Sequence, residues 1–594
     1  MTGAAPADEV ASGGPARPRV QLVSDQAKAA SGLLAQLDAD QRAAAKADGP
    51  LMIVAGPGSG KTRTLTYRIA HLITERGIEA ERCLAITFTR RAAAEMRERL
   101  ATLLRDRAER VAIHTFHSLG LSLLRERVSA AGLQRGFRIA DEAERAALLA
   151  ETLGVASSKA ERLLHAISKE KRTRGAAGDG EGEAYARALA TRNLIDFDDL
   201  IALPVRALSA DPAFISLYRS RWESISVDEF QDVDEQQYHL LNLLAPSESN
   251  LCVIGDPNQA IYRFRGADAS CFDRFCHDYP AARVVRLTRN YRSTGTIVTA
   301  SAQVIASGQS EPIAEMVRDM QERITIQTAP SERAEAESVV AAIERMIGGH
   351  SFFSIDSGRA IPALQTERSF ADFAVLYRSD AQSAPLCEAL ERSGIPYKKN
   401  SHRLLTDEPT VRILLQELAD GGETTLADGL RAAAERLRQR GDAGDCAVAL
   451  QRLLALARSC GNDRVRLNDA AALTTDAEFY DPRADRVSLL TLHAAKGLEF
   501  SIVFIVGLED GVLPLHWGAP DEAAMAEERR LFYVGMTRAK DRLILSRARQ
   551  RFWRGRLRML EPSPFLRDIE AALLKHQPIE RARSKPTDPQ LKLF

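Results

Sequence analysis

Two short segments carry most of the chemistry in this sequence. The first, LMIVAGPGSGKTRTL (51–65), reads as a strand, a glycine-rich turn and the start of a helix. Glycines at 56, 58 and 60 let successive backbone N–H groups turn inward around phosphates, and a helix N-terminus adds positive field there. Lys61 is spaced to reach β- and γ-phosphates and Thr62 to hold Mg²⁺. Ala55 stands where the strict form of the pattern has Gly. Ala55, Gly56, Pro57, Gly58, Ser59, Gly60, Lys61, Thr62 and Arg63 are therefore the candidate nucleotide cradle. The second segment is SVDEFQD (226–232). Val227 ends an apolar run, so Asp228 sits at a strand tip within reach of the cation. Glu229 beside it is placed to orient and deprotonate a water. Phosphoryl transfer needs these parts: cradle, cationic side chain, metal ion and water-positioning carboxylate. A plain glycine turn and a solvated acidic turn are the bland readings, and the pairing of the two segments argues against both.

Such residues must be held by a rigid sheet. Apolar runs at 51–56, 83–88, 225–230, 251–256, 284–287, 373–378, 487–493 and 501–507 alternate with longer amphipathic stretches. They are rich in Val, Ile and Leu at successive positions, as strands buried on both faces require. The expected class is α/β, with two sheets in tandem divided near residue 280. Residues 118–222 and 404–484 are dense in Leu, Ala, Arg and Glu at helical spacing, so each sheet is expected to carry a mainly helical insertion. The chain of 594 residues is long enough for about four structural units. Charged residues are 27% and hydrophobic residues 45%, which excludes a disordered or fibrous chain. Basic and acidic residues both number 80, so nucleic-acid binding must come from local patches and stacking. The longest apolar run, 502–508, is far short of a membrane span. Cys271, Cys276 and His277 are read as buried thiols and a neighbour, because metal sites need tighter pairing. A reducing, cytoplasmic setting is expected.

Further motifs appear in a fixed order from about residue 37 to 568: LDADQ (37–41), AITFTRRAAAEMRER (85–99), HTFHSL (114–119), LIDFDDLI (194–201), VIGDPNQAIYRFRGAD (253–268), LTRNYRS (287–293), TLHAAKGLEF (491–500) and EERRLFYVGMTRAKDRL (527–543). With the phosphate loop and the acidic segment, this series resembles a superfamily 1 DNA helicase of the UvrD/Rep/PcrA type. The resemblance implies two tandem RecA-like P-loop motor domains using ATP and Mg²⁺. The first would span 24–117 and 223–282, with a helical insertion at 118–222. The second would span 283–403 and 485–572, with a shortened helical insertion at 404–484. Residues 1–23 would be a disordered lead-in and 573–594 a flexible tail. It also implies roles. Gln41 would read adenine, Tyr291 would stack on it, and Glu499 would bond the ribose. Gln259 would sense the γ-phosphate, and Arg292 and Arg538 would stabilise transition-state charge from the second domain.

The same resemblance implies single-stranded DNA and single/double-strand junctions as partners, with movement 3′ to 5′. Phe88, Tyr262, Phe264 and Arg265 lie inside or beside the nucleotide motifs, which is where base stacking could be coupled to nucleotide state. The family usually has Trp where Phe264 stands. Thr115, His117, Phe197 and His493 resemble further DNA contacts, and core packing is the competing reading for each. RARQRFWRGRLR (547–558) reads equally as a DNA grip or as a solvated basic helix or hairpin. The second insertion is short for the family, which leaves a nucleotide-gated adaptor without unwinding as the alternative to a helicase. Residues 350–370 carry no readable pattern. The last five residues, with Gln590, Leu591, Leu593 and Phe594, resemble the bacterial sliding-clamp-binding peptide behind a polar, proline-containing linker.

Overall fold

The computed structural model describes residues 32–176, 178, 180–263, 266–267, 270–306, 314–348, 368–400, 404–419, 425–440, 446–479, 484–516, 518, 521–553 and 555–579. Its strands, in chain order, begin with β1 (Leu51–Ala55), β2 (Cys83–Thr87) and β3 (Ala112–Thr115). A short pair follows inside the first insertion, β4 (Arg138–Ile139) and β5 (Leu194–Ile195). Then come β6 (Ser224–Val227), β7 (Asn250–Gly255) and β8 (Arg283–Leu287), with a second short pair, β9 (Arg289–Asn290) and β10 (Glu315–Met316). The remainder are β11 (Ile324–Ser331), β12 (Phe373–Tyr377), β13 (Tyr397–Asn400), β14 (Val487–Thr491), β15 (Phe500–Ile505), β16 (Ala539–Trp553), β17 (Arg556–Met559) and β18 (Leu574–Pro578).

Two parallel sheets result. The first has order β3-β2-β6-β7-β1-β8 and the second β13-β14-β12-β15-β16-β11-β18, with β17 folded back antiparallel on β16. Each sheet is buried on both faces because successive side chains point to opposite sides. In the first sheet Met52, Ile86, Ile225 and Val253 enter one apolar cluster, while Leu51, Ile53, Ala85 and Ile254 enter another. In the second, Leu376, Leu490 and Ile505 face one cluster, and Val375, Leu489 and Phe504 the other. The tandem α/β architecture is thus present.

Two boundaries move relative to expectation. The run 284–287 belongs to the first sheet, since β8 pairs in parallel with β1 from Leu51↔Arg283 to Ala55↔Leu287. A cut at 282/283 therefore removes an edge strand from the sheet it completes. The expected flexible tail from 573 also begins too early. Leu574–Pro578 forms β18, pairing with β11 from Ile324↔Leu574. Neither strand has a long apolar run, because an edge strand can alternate polar and apolar residues. Residues 1–31, 349–367 and 580–594 lie outside the described residues, so the expectations placed there meet no structure.

The two helical insertions are built differently. The first contains helices Phe116–Glu126, Glu142–Leu153, Ser157–Arg174, Glu181–Thr191, Asp199–Ala210 and Pro212–Arg221. Asp141 caps the second of these, and Asp211 with Pro212 starts the last, both standard start signals. The second insertion contains Pro409–Ala419, Leu426–Gln439, Cys446–Cys460 and Arg464–Ala472 packed around Leu414, Leu430, Leu453 and Leu467. The insertions touch through Arg125–Asp469 at 2.9 Å and Arg412–Asp141 at 3.3 Å. Among the described residues no single helix is long and apolar enough to cross a membrane.

Candidate functional site

The glycine-rich turn leaves the C-terminal end of β1 and enters the helix Lys61–Thr74. Gly58 and Gly60 have φ of 72° and 82°, a left-handed geometry that disfavours a Cβ. A Cβ at Gly58 would lie 2.7 Å from Cβ of Arg292, so the loop and the second half of the chain approach closely there. Lys61 Nζ donates to the carbonyls of Ala55 and Gly56, both at 3.1 Å, and Ser59 Oγ donates to Gly56 O at 2.7 Å. Thr62 Oγ1 donates to Asp228 Oδ2 at 3.2 Å. Glu229, at the tip of β6, has φ of 51°. A non-glycine residue in that region is strained, and such strain clusters at functional sites.

The second sheet's half closes the chamber. Arg538 Nη2 donates to Gln259 Oε1 at 3.2 Å, and Gln259 Nε2 donates to Asp256 Oδ2 at 2.7 Å. Arg292 pairs with Glu499 at 2.8 Å and Lys540 reaches the same carboxylate at 2.7 Å. Tyr291 is 42% exposed at the rim and its hydroxyl donates to Asp38 at 2.5 Å. Gln41 is buried, and its amide donates to Ser59 O at 2.9 Å while accepting from Asp38 N at 3.3 Å. It therefore braces the turn that makes the cradle. Arg63 donates to Gln36 O at 2.8 Å, and Asn290 Nδ2 donates to Pro57 O at 2.8 Å.

Of these residues, Gly58, Gly60, Lys61, Thr62, Arg63, Glu229, Gln259, Tyr291, Arg292, Glu499, Arg538 and Lys540 line a cavity of 820 Å³ that also takes in Arg91, Glu95, Arg99, Arg318, Gly497 and Leu498, while Gln41 and Asp228 stand behind its wall. Eight lining residues are Lys or Arg and three are Glu, an excess of five positive charges. That excess suits a polyphosphate. Burial lowers Lys61, and burial together with the like charge of Arg292 brings Arg538 down to about 9. An anion in the cavity relieves both. Burial, then the neighbouring Glu229 charge, pushes Asp228 up to about 7. Burial also acts to raise Glu229, but Lys61 and Lys496 outweigh it and hold the carboxyl below its usual range. The Thr62 hydroxyl and Asp228 carboxylate form an all-oxygen pair at the cradle, the donor chemistry that Mg²⁺ takes.

A second chamber adjoins the first. It has a volume of 210 Å³ and is lined by Phe88, Thr115, His117, Phe197, Tyr262 and Glu229, with Leu404, Leu473, Thr475 and Glu478 from the second insertion. Phe88 and Tyr262 stack at 5.3 Å and 18°, and His117 and Phe197 meet at 4.0 Å. Tyr262 is buried and sits behind Phe88, with His493 tilted against it at 6.3 Å. Thr115 caps the helix Phe116–Glu126, its hydroxyl accepting from Ser118 N at 3.1 Å. Phe264 and Arg265 lie outside the described residues.

Several neighbours escape sequence reading. Lys171 Nζ lies 2.8 Å from both Asp196 and Asp199, and this buried pairing holds the loop that presents Phe197. Lys171 and Arg145 keep Asp196 low despite burial, whereas burial and the Asp196 charge raise Asp199. ISKEKR (167–172) carries no signal for this, because the partners are 25 and 28 residues away. Arg318 donates to the carbonyls of Arg292 at 2.7 Å and Lys540 at 3.1 Å. Only long-range packing puts it there. The basic segment 547–558 is a hairpin of β16 and β17. Phe552, Leu557 and Met559 are exposed, but Trp553 is buried and Arg551 pairs internally with Glu335 and Glu509. Of its two aromatics, one is available at the surface. Cys271 and Cys276 sit on the helix Cys271–Asp278 without a disulfide, the first buried with its thiol donating to Phe230 O at 3.5 Å and the second only half-buried.

A family model described as the UvrD/REP helicase N-terminal domain matches residues 37–280, and one described as the UvrD-like helicase C-terminal domain matches 285–415 and 450–550. The chain is 31% identical over 645 aligned positions to a Leuconostoc citreum protein named ATP-dependent DNA helicase PcrA, covering 89% of this chain and 84% of that one. Proteins of the same name from Staphylococcus aureus and Bacillus subtilis are each 30% identical, covering 92% of this chain and 87% of theirs. The aligned length exceeds the 594 residues present here, so this chain lacks residues that the relative has. Those matched spans take in the cradle, the acidic segment and both halves of the chamber between them, and the chain belongs to the UvrD/Rep helicase family.

Proposed function

We propose that this chain is an ATP-driven motor that moves 3′ to 5′ along single-stranded DNA and unwinds duplex at single/double-strand junctions, in the cytoplasm, in repair, replication or recombination. The observation that carries the reading is the joint lining of one cation-rich cavity by both halves of the chain, directly beside a chamber faced with aromatic rings. ATP fits the first chamber. Gly56, Gly58 and Gly60 cradle its phosphates, Lys61 neutralises them, Tyr291 stacks on the base and Glu499 bonds the ribose. Thr62 and Asp228 hold Mg²⁺, which supplies charge neutralisation between the phosphates. Glu229 orients the attacking water and accepts its proton. Gln259, Arg292 and Arg538 meet the charge that develops on the transferred group. Single-stranded DNA occupies the second chamber, where Phe88 and the His117–Phe197 pair offer faces to bases.

Repeated closing and opening across the first chamber would shift Arg292 and Arg538 relative to the cradle. Because Glu229 of the acidic segment lines both chambers, the shift is passed to the stacking rings. ATPase measured with and without single-stranded DNA tests this reading. Strong stimulation supports a motor. Equal slow rates support the second reading, a nucleotide-gated adaptor that recruits or displaces repair proteins. The shortened second insertion favours that alternative. The C-terminal residues Gln590, Leu591, Leu593 and Phe594 add a tether to the sliding clamp, with three apolar anchors in a groove and Gln at its rim. Titrating purified clamp with the full chain and with a chain ending at residue 589 tests it. Equal affinity for both removes the tether.

A further inference from the structure

One of the largest fully buried side chains is a cation outside the site described so far. Arg68 lies about two turns after Lys61 on the helix Lys61–Thr74 and is 0% exposed. Its Nη1 donates to the carbonyls of Ala44 at 3.2 Å, Ala45 at 3.4 Å and Ala47 at 2.5 Å, and its Nη2 donates to Asn250 Oδ1 at 2.9 Å. These partners are neutral oxygens, and Arg68 Nε has no partner among the described residues. Ala44 and Ala45 lie in the last turn of the helix Ala39–Lys46, and Ala47 is its C-terminal cap. The last turn of a helix leaves carbonyls without intrahelical donors and carries a negative field. Arg68 answers both, and it does so from inside the protein, where a cation without partners would be costly.

The other end of the same helix carries the contacts of the base side. Asp38 caps it, accepting from Gln41 N at 2.8 Å and from the Tyr291 hydroxyl at 2.5 Å. Asp40 accepts from Thr288 Oγ1 at 2.7 Å, and Gln41 donates to Ser59 O at 2.9 Å. A helix of eight residues is marginal alone, so its place depends on what it is tied to. Arg68 ties it to the helix whose first turn holds Lys61 and Thr62. Asn250, at the start of β7, fixes the guanidinium from a third side.

We infer that Arg68 is a positioning residue of the nucleotide site: by locking the helix Ala39–Lys46 onto the helix Lys61–Thr74, it sets the span between the phosphate cradle and the ring of Tyr291. The inference rests on the reading of that cavity as an ATP site with Tyr291 on the base. ATP engages both ends at once. If the base-side helix shifts, the cradle still takes the phosphates but the ring no longer meets the base in register. A span fixed in advance spares the ligand that ordering cost. A planar fork of donors can hold several oxygens in one geometry, which the single point charge of a lysine cannot.

The test compares two probes by calorimetry on the full chain: a non-hydrolysable ATP analogue, which spans both ends, and inorganic tripolyphosphate, which fills the cradle alone. Y291A should weaken the analogue about 2- to 13-fold, the range for one aromatic contact. R68M should weaken the analogue by a similar factor and leave tripolyphosphate unchanged. In R68M/Y291A the two losses should not add, because both remove the same contact. N250A frees one arm of the fork and should give a smaller loss of the same kind; it carries the test if R68M does not fold. Wild-type analogue affinity in the folded variant overturns the inference. So does an equal loss on tripolyphosphate, or additive losses in the double variant, because Arg68 would then only support the fold. A wild type that does not bind the analogue, or a Y291A that binds it as the wild type does, overturns the reading of the cavity and the inference with it.

Discussion

The two chambers lie side by side and differ in what sets them apart: a cationic excess in one, a group of aromatic rings in the other. The nucleotide cavity is walled by Lys61, Arg63, Arg91, Arg99, Arg292, Arg318, Arg538 and Lys540. The stacking chamber is walled by Phe88, Phe197, His117 and apolar residues of the second insertion. The first holds charge and is drawn from both sheets. The second holds rings and is drawn from the first sheet, its insertion, the cap that the second insertion places over it and the turn after β14. A phosphate chain is bound by field and donors fixed in advance, whereas a base of any sequence is bound by its π-face. Glu229 lines both, and the contrast predicts that substitutions in the two walls fail in different ways.

The largest effect belongs to the charged wall. Lys61→Ala and Glu229→Gln should each lower ATP turnover by about two or more orders of magnitude. Equilibrium binding of an ATP analogue separates them: the first should bind weakly and the second well. Near-normal DNA-stimulated turnover in Glu229→Gln would break the assignment. The aromatic wall should give a smaller loss, expressed on the other ligand. Phe88→Ala should weaken single-stranded DNA by roughly 5- to 150-fold, since stacking on one ring is worth about 1–3 kcal/mol. Anisotropy on a short oligonucleotide checks this, and an affinity loss for nucleotide of equal size would erase the distinction between the chambers.

A third effect is on stability. Burial pushes Glu478, in the cap over the rings, up to about 7, with Arg90 opposing at 3.9 Å. A carboxyl raised in the folded state penalises folding above pH 7, and the penalty fades as pH falls from 7 towards the ordinary value of 4.5. Glu478→Gln should therefore stabilise the protein at pH 8 by about 1–2 kcal/mol, and by little at pH 5. Denaturant midpoints at both values decide it, and equal gains would show that the carboxyl is solvated. The smallest effect is expected from removing residues 590–594: clamp affinity should vanish while both chambers work unchanged, as ATPase on single strands would report.

How much of this could be read beforehand follows the physics of each part. The cradle, the acidic segment and the motifs of the second half were legible because phosphate chemistry demands particular residues at fixed short spacing, as in Gly58, Gly60, Lys61 and Thr62. Central strands such as β12 and β15 were legible because burial on both faces leaves unbroken apolar runs. Edge strands were not. β8 was read as a run but put in the second sheet, because its partner β1 lies far along the chain, and β18 was put in a tail, because pairing at a sheet edge imposes no run. Trp553 and Phe552 are adjacent and equally aromatic, yet one is buried and the other exposed, an outcome of the two-residue period of a hairpin strand.

The family and the tandem α/β plan followed from the sequence alone, since motif order and unbroken apolar runs are local features of the chain. Which charges meet was settled by packing in three dimensions. Gln41 braces the cradle, Lys171 anchors the loop bearing Phe197, and Lys496 lies on Asp232 from 264 residues away. Ion pairs and ring contacts act over a few ångströms in space. Separation along the chain carries no record of them until two sheets and two insertions have packed.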